Sequence, residues 1–298
     1  MLIKGRGESA RHGGCTARRR RSRLPAMSRF VADPRPALQW RADQAVRPIE
    51  RITPQEIAVG LSFDGRPHTV LMATPEDLED LARGFVVTEA IAAAQDIVAI
   101  TVTTEELGVL ADVRFPPGAG PRKARPRNLE GRSSCGLCGV ERLADAVRPL
   151  PRLADGGGAL AHAVIPRALA RLEDEQALGR LTRATHAAAF FSLDGELVLL
   201  REDVGRHNAL DKLAGGLLRD GLDPAGGFVV VTSRCSFEMV EKTVRLGCPI
   251  LVAVSAPTAL AIERAEAANL TLVALARADG HAVFAGGERL IETQPEPA

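Results

Sequence analysis

Two thiols stand three positions apart in Ser133-Ser-Cys-Gly-Leu-Cys-Gly139. Cys135 and Cys138, in a glycine-flanked turn, have few uses besides covalent chemistry or metal binding. The stretch 116–132 before them is rich in proline, glycine and arginine and reads as a loop. After them, Val140 to Val147 has the apolar spacing of a short helix, which puts the thiols near a helix N-terminus. The partial positive charge there, together with Arg132, lowers a thiol pKa. A zinc site needs four ligands, and neither a second Cys-x-x-Cys nor a suitably spaced histidine pair is present; Cys235 and Cys248 are distant and differently spaced. A thioredoxin-like dithiol normally follows a buried strand, not an Arg/Pro loop. A disulfide framework does not fit five scattered cysteines without a sign of export. The reading favoured is a reactive thiolate on a mobile loop, 116–140, with bound zinc as the alternative.

A second concentration of polar groups is Arg201-Glu-Asp-Val-Gly-Arg-His-Asn-Ala-Leu-Asp-Lys212, placed where a strand gives way to a helix. Arg206 and His207 are candidate ligand-binding groups there. Asp211 and Lys212 fit equally well as caps and salt bridges, a reading less favoured for His207. No Gly-Lys dipeptide exists, so a P-loop nucleotidase in its usual form is excluded, and no Gly-x-Gly-x-x-Gly follows a strand. The ligand set of a zinc deaminase, His-x-Glu with Pro-Cys-x-x-Cys, is missing as well.

The elements that must position these groups divide into two units. In 46–115, Glu56 to Phe63 and Arg66 to Met72 alternate around Asp64-Gly65, a strong hairpin signal. A helix follows, with Thr74 expected as N-cap and Pro75 at its first position. Ile97 to Val102 and Val109 to Phe115 read as two more strands, making this smaller N-terminal unit α+β. In 141–298, His186 to Phe191 and Glu196 to Leu200 form a hairpin around Asp194-Gly195, and Arg206 to Leu218 is a helix. Three buried-type strands then alternate with helices: Phe228 to Val231, Ile250 to Val254 and Leu270 to Leu275, with helices at Ser236 to Leu246 and Thr258 to Ala267. That order implies a parallel βαβαβ core with right-handed crossovers, hence an α/β C-terminal domain. Ligands of such sheets collect at the carboxyl ends of the strands. Those ends carry Arg234 within Thr232 to Ser236, then Ser255 to Thr258, then Arg277-Ala278-Asp279-Gly280.

With 298 residues, 46% of them hydrophobic, and a net charge of +1, the chain can bury one large core or two modest ones, and no basic face is forced. Aromatics are 3%, with no tyrosine, so stacking platforms for single-stranded nucleic acid are scarce. Residues 1–45 read as a disordered basic tail: Arg18 to Arg21 and Arg23 sit among glycines and prolines with no core-forming period. No apolar run follows them as in a signal peptide, and none approaches the roughly 20 residues of a membrane span. Met1 and Met27 are both candidate starts of the translated chain.

Ser-Ser-Cys-Gly-Leu-Cys-Gly, the Arg201 to Lys212 string, Ser-Phe-Glu-Met-Val-Glu-Lys and Val-Ser-Ala-Pro-Thr-Ala-Leu-Ala together resemble the formate dehydrogenase accessory sulfurtransferase family, known as FdhD, from about Glu50 to Ile291. It departs from that pattern at Thr182 to His186, where a Gly-Gly pair is frequent, and at Thr232-Ser233-Arg234, where Ser-Gly-Arg is common. The resemblance implies a cytidine-deaminase-like C-terminal domain, a cytoplasmic homodimer and a sulfurtransferase with a cysteine persulfide intermediate. Sulfur would come from a cysteine desulfurase and pass to bis(molybdopterin guanine dinucleotide)-molybdenum, bound as substrate, for the formate dehydrogenase catalytic subunit, with no permanent metal. By the resemblance Cys135 carries the persulfide, and Cys138 protects, relays or resolves it. The cofactor's phosphates are expected at strand-end arginines and backbone N–H groups, first along Leu275, Ala276, Arg277, Ala278, Asp279 and Gly280, with Arg234, Arg206 and His207 nearby. Nucleic acid and membrane are not expected partners. The alternative is a non-catalytic cofactor-binding chaperone whose cysteines are structural or zinc-bound.

Overall fold

The structure, a computed structural model, describes residues 31–118, 120, 149–156 and 158–292. In chain order, the first half holds β1 (Ala32–Arg41), β2 (Gln44–Pro54), β3 (Ile57–Phe63), β4 (Arg66–Ala73), α1 (Leu78–Thr88), β5 (Ala99–Glu105) and β6 (Gly108–Arg114). The second holds β7 (Leu160–Ala161), α2 (Val164–Glu175), α3 (Ala177–Thr182), β8 (His186–Ser192), β9 (Leu197–Asp203), α4 (Arg206–Arg219), β10 (Gly227–Val231), α5 (Phe237–Leu246), β11 (Ile250–Ala253), α6 (Ala259–Ala268), β12 (Thr271–Arg277), β13 (Gly280–Ala285) and β14 (Leu290–Ile291).

β10, β11 and β12 are parallel, as alternation with α5 and α6 requires. The hairpin β8–β9 adds antiparallel on one side and β13 on the other, giving the order β13-β12-β11-β10-β8-β9. Both faces of this sheet are covered, which is why its strands read as continuous apolar runs. Val229, Val231, Leu251 and Leu272 turn towards α4, α5 and α6, packing on Leu210, Leu213, Met239 and Val244. Phe228, Val230, Ile250 and Val273 turn the other way, onto Ile165, Ala168 and Leu172 of α2.

The smaller sheet, β4-β3-β6-β5, buries Leu61, Phe63, Ala111 and Val113 against Leu81, Phe85 and Val86 of α1. The opposite side of α1 lies on α4 at backbone contact. A Cβ on Gly84 would sit 1.8 Å from the Asp211 carbonyl oxygen, and one on Gly215 would sit 1.9 Å from that of Asp80. Any side chain at either glycine drives the helices apart.

Two expectations need correcting. Thr74 does not cap α1, whose N-cap is Asp77 in the left-handed region (φ 54°). The Thr74 N–H and hydroxyl are both committed to the carboxylate of Asp203, so the chain makes an extra turn before the helix starts. Nor is all of 1–45 a disordered tail: β1 and β2, within and beyond it, pair from Ala32↔Pro54 to Arg41↔Gln44 as a long antiparallel ribbon. Its period of two was masked by four prolines, which sit among the apolar residues rather than breaking the strands. One face carries Pro34, Pro36, Leu38 and Trp40 with Val46, Pro48 and Ile52 around a single charge, Glu50, and the other carries Asp33, Arg35, Arg47 and Arg51 with Ala37 and Ile49. The apolar face is bare, with Leu38 75% and Trp40 71% exposed.

Candidate functional site

The polar string Arg201 to Lys212 divides by direction. Its inward half is a buried clamp between the two units. Lys212 and Asp203, both fully buried, pair at 2.7 Å. The Lys212 ammonium also donates to the Thr74 carbonyl (3.0 Å) and hydroxyl (2.8 Å). Asp203 further accepts from the Gly205 N–H and the Asn208 amide, whose nitrogen also donates to the Met72 carbonyl. One turn along α4, Asp211 takes both oxygens to Lys242 of α5, at 2.8 and 3.0 Å, and accepts from the Thr88 hydroxyl. Lys242 also donates to Glu89 and Thr88, over the Phe85 ring. Burial works to lower the Lys242 pKa, but Asp211 and Glu89 overcome it and hold the ammonium charged above the ordinary lysine range. Asp80 of α1 likewise receives Arg201 through Nε and Nη2. Asp211 and Lys212 are therefore holding groups, the plainer of their two sequence readings.

The outward half lies at the carboxyl edge of the sheet. Arg206 and His207 open α4 just past the end of β9, and His186 begins the adjacent β8. Burial, with Lys242 and Arg206 close by, pushes the His207 imidazole down to about 3, and burial lowers His186 too. His207 Nε2 is buried and makes no hydrogen bond among the described residues. An unfolded histidine titrates near 6.5, so His207 contributes stability that is complete above that pH and is lost as the pH falls towards about 3. We expect a thermal midpoint that drops through this window, by up to about 1.4 kcal/mol of stability per pH unit from His207. His207→Gln should flatten that slope measurably, leaving a residue of it from His186; an unchanged slope would refute the assignment.

The segment after the last parallel strand is a distorted hairpin rather than an open loop. Arg277 pairs with Gly280, Ala278 and Asp279 form its exposed turn, and the register slips between Ala274 and Arg277. The slip falls at Leu275, a non-glycine residue at φ 55° with an exposed side chain. Beyond it the alternation is inverted, so that Ala276 packs on the α2 side although Ala274 packs on the other. Strain of this kind, of order 1 kcal/mol or more, persists where surrounding structure imposes it, and it clusters at ligand sites. Arg277 reaches back to the Val254 carbonyl (3.2 Å). Arg234, past β10, is exposed.

Cys135 and Cys138 lie outside the described residues. Cys235 and Cys248 are free and fully buried, and burial pushes both thiols up to about 12. Neither can supply a thiolate near neutral pH. Among the described residues no group of three or more His, Cys, Asp or Glu side chains could hold a metal ion, and no helix is long and apolar enough to cross a membrane.

The model of the FdhD/NarQ family matches residues 54–291. The chain belongs to the FdhD/NarQ family. It is 46% identical over 244 residues to the sulfur carrier protein FdhD of Agrobacterium fabrum, covering 81% of this chain and 90% of that one. To the protein of the same name from Cupriavidus necator it is 44% identical over 254 residues, covering 85% and 88%. A crystal structure described as a formate dehydrogenase accessory protein from Desulfotalea psychrophila superimposes with a TM-score of 0.69, covering 88% of this chain and all of the other. At 23% identity that likeness speaks for the mixed α/β fold alone.

Within this FdhD/NarQ chain, the stretch Ser-Phe-Glu-Met-Val-Glu-Lys contributes more than a helix. Its Lys242 closes the clamp, its Glu241 pairs with Arg264 of α6 and with Arg245, and its Glu238 is buried with neither carboxylate oxygen hydrogen-bonded among the described residues. The sequence singles out Ser236 only as part of the strand end after β10, and Glu238 not at all. The available signal was an acid in the first turn of a helix at a strand's carboxyl end, which sequence alone assigns to helix-dipole compensation.

Proposed function

We propose that the protein is a sulfur carrier serving formate dehydrogenase, with Cys135 as the persulfide site and bis(molybdopterin guanine dinucleotide)-molybdenum as the substrate that receives the sulfur. The Cys135 thiolate attacks the outer sulfur of a cysteine desulfurase persulfide. The S–S bond of the donor breaks, the desulfurase thiolate leaves, and the outer sulfur stays on Cys135. Supporting this, the described cysteines are locked as neutral thiols, which leaves Cys15, Cys135 and Cys138, and of these only the last two form a Cys-x-x-Cys pair. The observation that carries the cofactor's placement is the carboxyl edge: Arg206 and Arg234 stand past the ends of β9 and β10, and Arg277 stands in β12 two residues from the strained Leu275. Phosphates are bound at such edges by arginines and helix N-termini. In this reading the six-stranded sheet is a cytidine-deaminase-like core without the deaminase zinc ligands, and the protein works in the cytoplasm, where thiols stay reduced.

Incubation with a cysteine desulfurase and sulfur-labelled cysteine is the direct test: label retained on the protein and released by reductant supports the reading, and absence of label defeats it. We also propose a homodimer in which a second copy covers the bare face of the β1–β2 ribbon, since a lone two-stranded ribbon is marginal in water. Trp40→Glu is then expected to convert a dimer into a monomer in light scattering. A monomeric wild type would remove this element.

A further inference from the structure

Glu238 is 9% exposed and neither of its carboxylate oxygens accepts a hydrogen bond among the described residues. A carboxylate in that condition is costly unless something supplies donors. Its own surroundings do not. Lys242, one turn along α5, already donates to Asp211, Glu89 and Thr88. Arg264 is bound to Glu241, and Arg245 lies 3.6 Å from Glu241 while donating to the Thr88 carbonyl. Two residues before Glu238, the Ser236 hydroxyl is also buried without a partner, although Ser236 occupies the N-cap of α5, where a serine normally accepts a backbone N–H.

The place of Glu238 follows from helix geometry. α4 and α5 both begin at the carboxyl edge, and the Asp211–Lys242 contact fixes their mutual register. His207 is four residues before Asp211, and Glu238 is four before Lys242. Both therefore stand one turn, about 6 Å, nearer the edge, at the same level on neighbouring helices. By this geometry the N-terminal turns of the two helices bring to one end a carboxylate, a serine hydroxyl and an imidazole nitrogen that have no hydrogen-bond partner among the described residues, with Arg206 and Arg234 close in sequence. A phosphate group would be repelled by Glu238. What two free carboxylate oxygens accept best is a pair of parallel N–H donors in one plane.

We infer that Glu238 reads the N–H/NH2 edge of a 2-amino-4-oxopyrimidine ring, the ring system shared by guanine and pterins, at a subsite formed with His207 and Ser236. The inference rests on the proposed binding of a pterin–guanine cofactor along this edge, and it assigns the recognition of one ring of that ligand to the α4–α5 crevice. A neutral His207 adds a hydrogen bond to the ring without adding charge.

Calorimetry on the full chain tests it with two matched pairs. GDP is compared with IDP, which lacks the 2-amino group, and pterin-6-carboxylate with lumazine-6-carboxylate, which carries oxygen in its place. A hydrogen bond to a charged acceptor is worth about 1.5–3 kcal/mol, or tenfold and more in affinity. The wild type should prefer the 2-amino member at least tenfold in one pair, and the pair that shows it identifies the ring as guanine or pterin. Glu238→Gln should bring that ratio close to one with an unchanged circular dichroism spectrum. If that variant does not fold, Glu238→Asp, which withdraws the carboxylate by one methylene, should do the same. A wild-type ratio near one in both pairs, or a ratio that survives Glu238→Gln, overturns this inference and leaves nucleotide binding at the edge intact. Binding of none of the four compounds overturns both, while sulfur loading of Cys135 stands or falls by its own assay.

Discussion

Cys135→Ala should abolish sulfur loading by a cysteine desulfurase and leave formate dehydrogenase inactive, while the fold and nucleotide binding persist. The loss should be complete rather than graded, because the other described thiols offer no substitute. With pKa values pushed up to about 12, Cys235 and Cys248 hold on the order of one thiolate in a hundred thousand at pH 7, and both are sealed in the core. Cys138→Ala should still accept one sulfur at Cys135, seen as a reductant-labile mass increase, with onward transfer impaired. A zinc-binding pair behaves otherwise: either substitution would release metal and destabilise the protein together. Persulfide found on Cys138 alone in the wild type would reassign the carrier.

Asp203→Ala is expected to cost about 3–5 kcal/mol, since it strands the Lys212 ammonium in a fully buried position with only Thr74 to receive it. Against a total stability of about 5–15 kcal/mol, that change alone brings the protein close to unfolding. The Thr74 N–H and the Asn208 amide lose an acceptor in the same step, which loosens the seam between the smaller sheet and α4. The double replacement Asp203→Leu with Lys212→Met should cost less than the single Asp203→Ala, because removing both charges leaves none unpaired. Urea unfolding of the three proteins measures this directly. A loss below about 1 kcal/mol in Asp203→Ala would mean that the pair is not the clamp described above.

Residues close together in the chain were enough to determine much of the protein. Asp64-Gly65 and Asp194-Gly195 specify tight turns, because the glycines at φ 73° and 87° accept backbone that other residues resist, and both hairpins form there. The runs at Phe228, Ile250 and Leu272, spaced by helices, can pair only in parallel, so the edge at which a ligand collects followed from order alone. Tertiary structure decided what depends on partners far along the chain. Thr74 looks like a helix cap until Asp203, 129 residues later, claims it. Asp211 and Lys212 look like surface charges until α1 lies on them at backbone contact, made possible by Gly84 and Gly215. Leu275 gives no sign of a left-handed backbone, since the pairing of β12 with β13 imposes it. Glu238 shows least of all in sequence. An acid in a helix's first turn is ordinary, and only packing that engages Lys242 and Arg264 elsewhere leaves its carboxylate buried with neither oxygen hydrogen-bonded among the described residues.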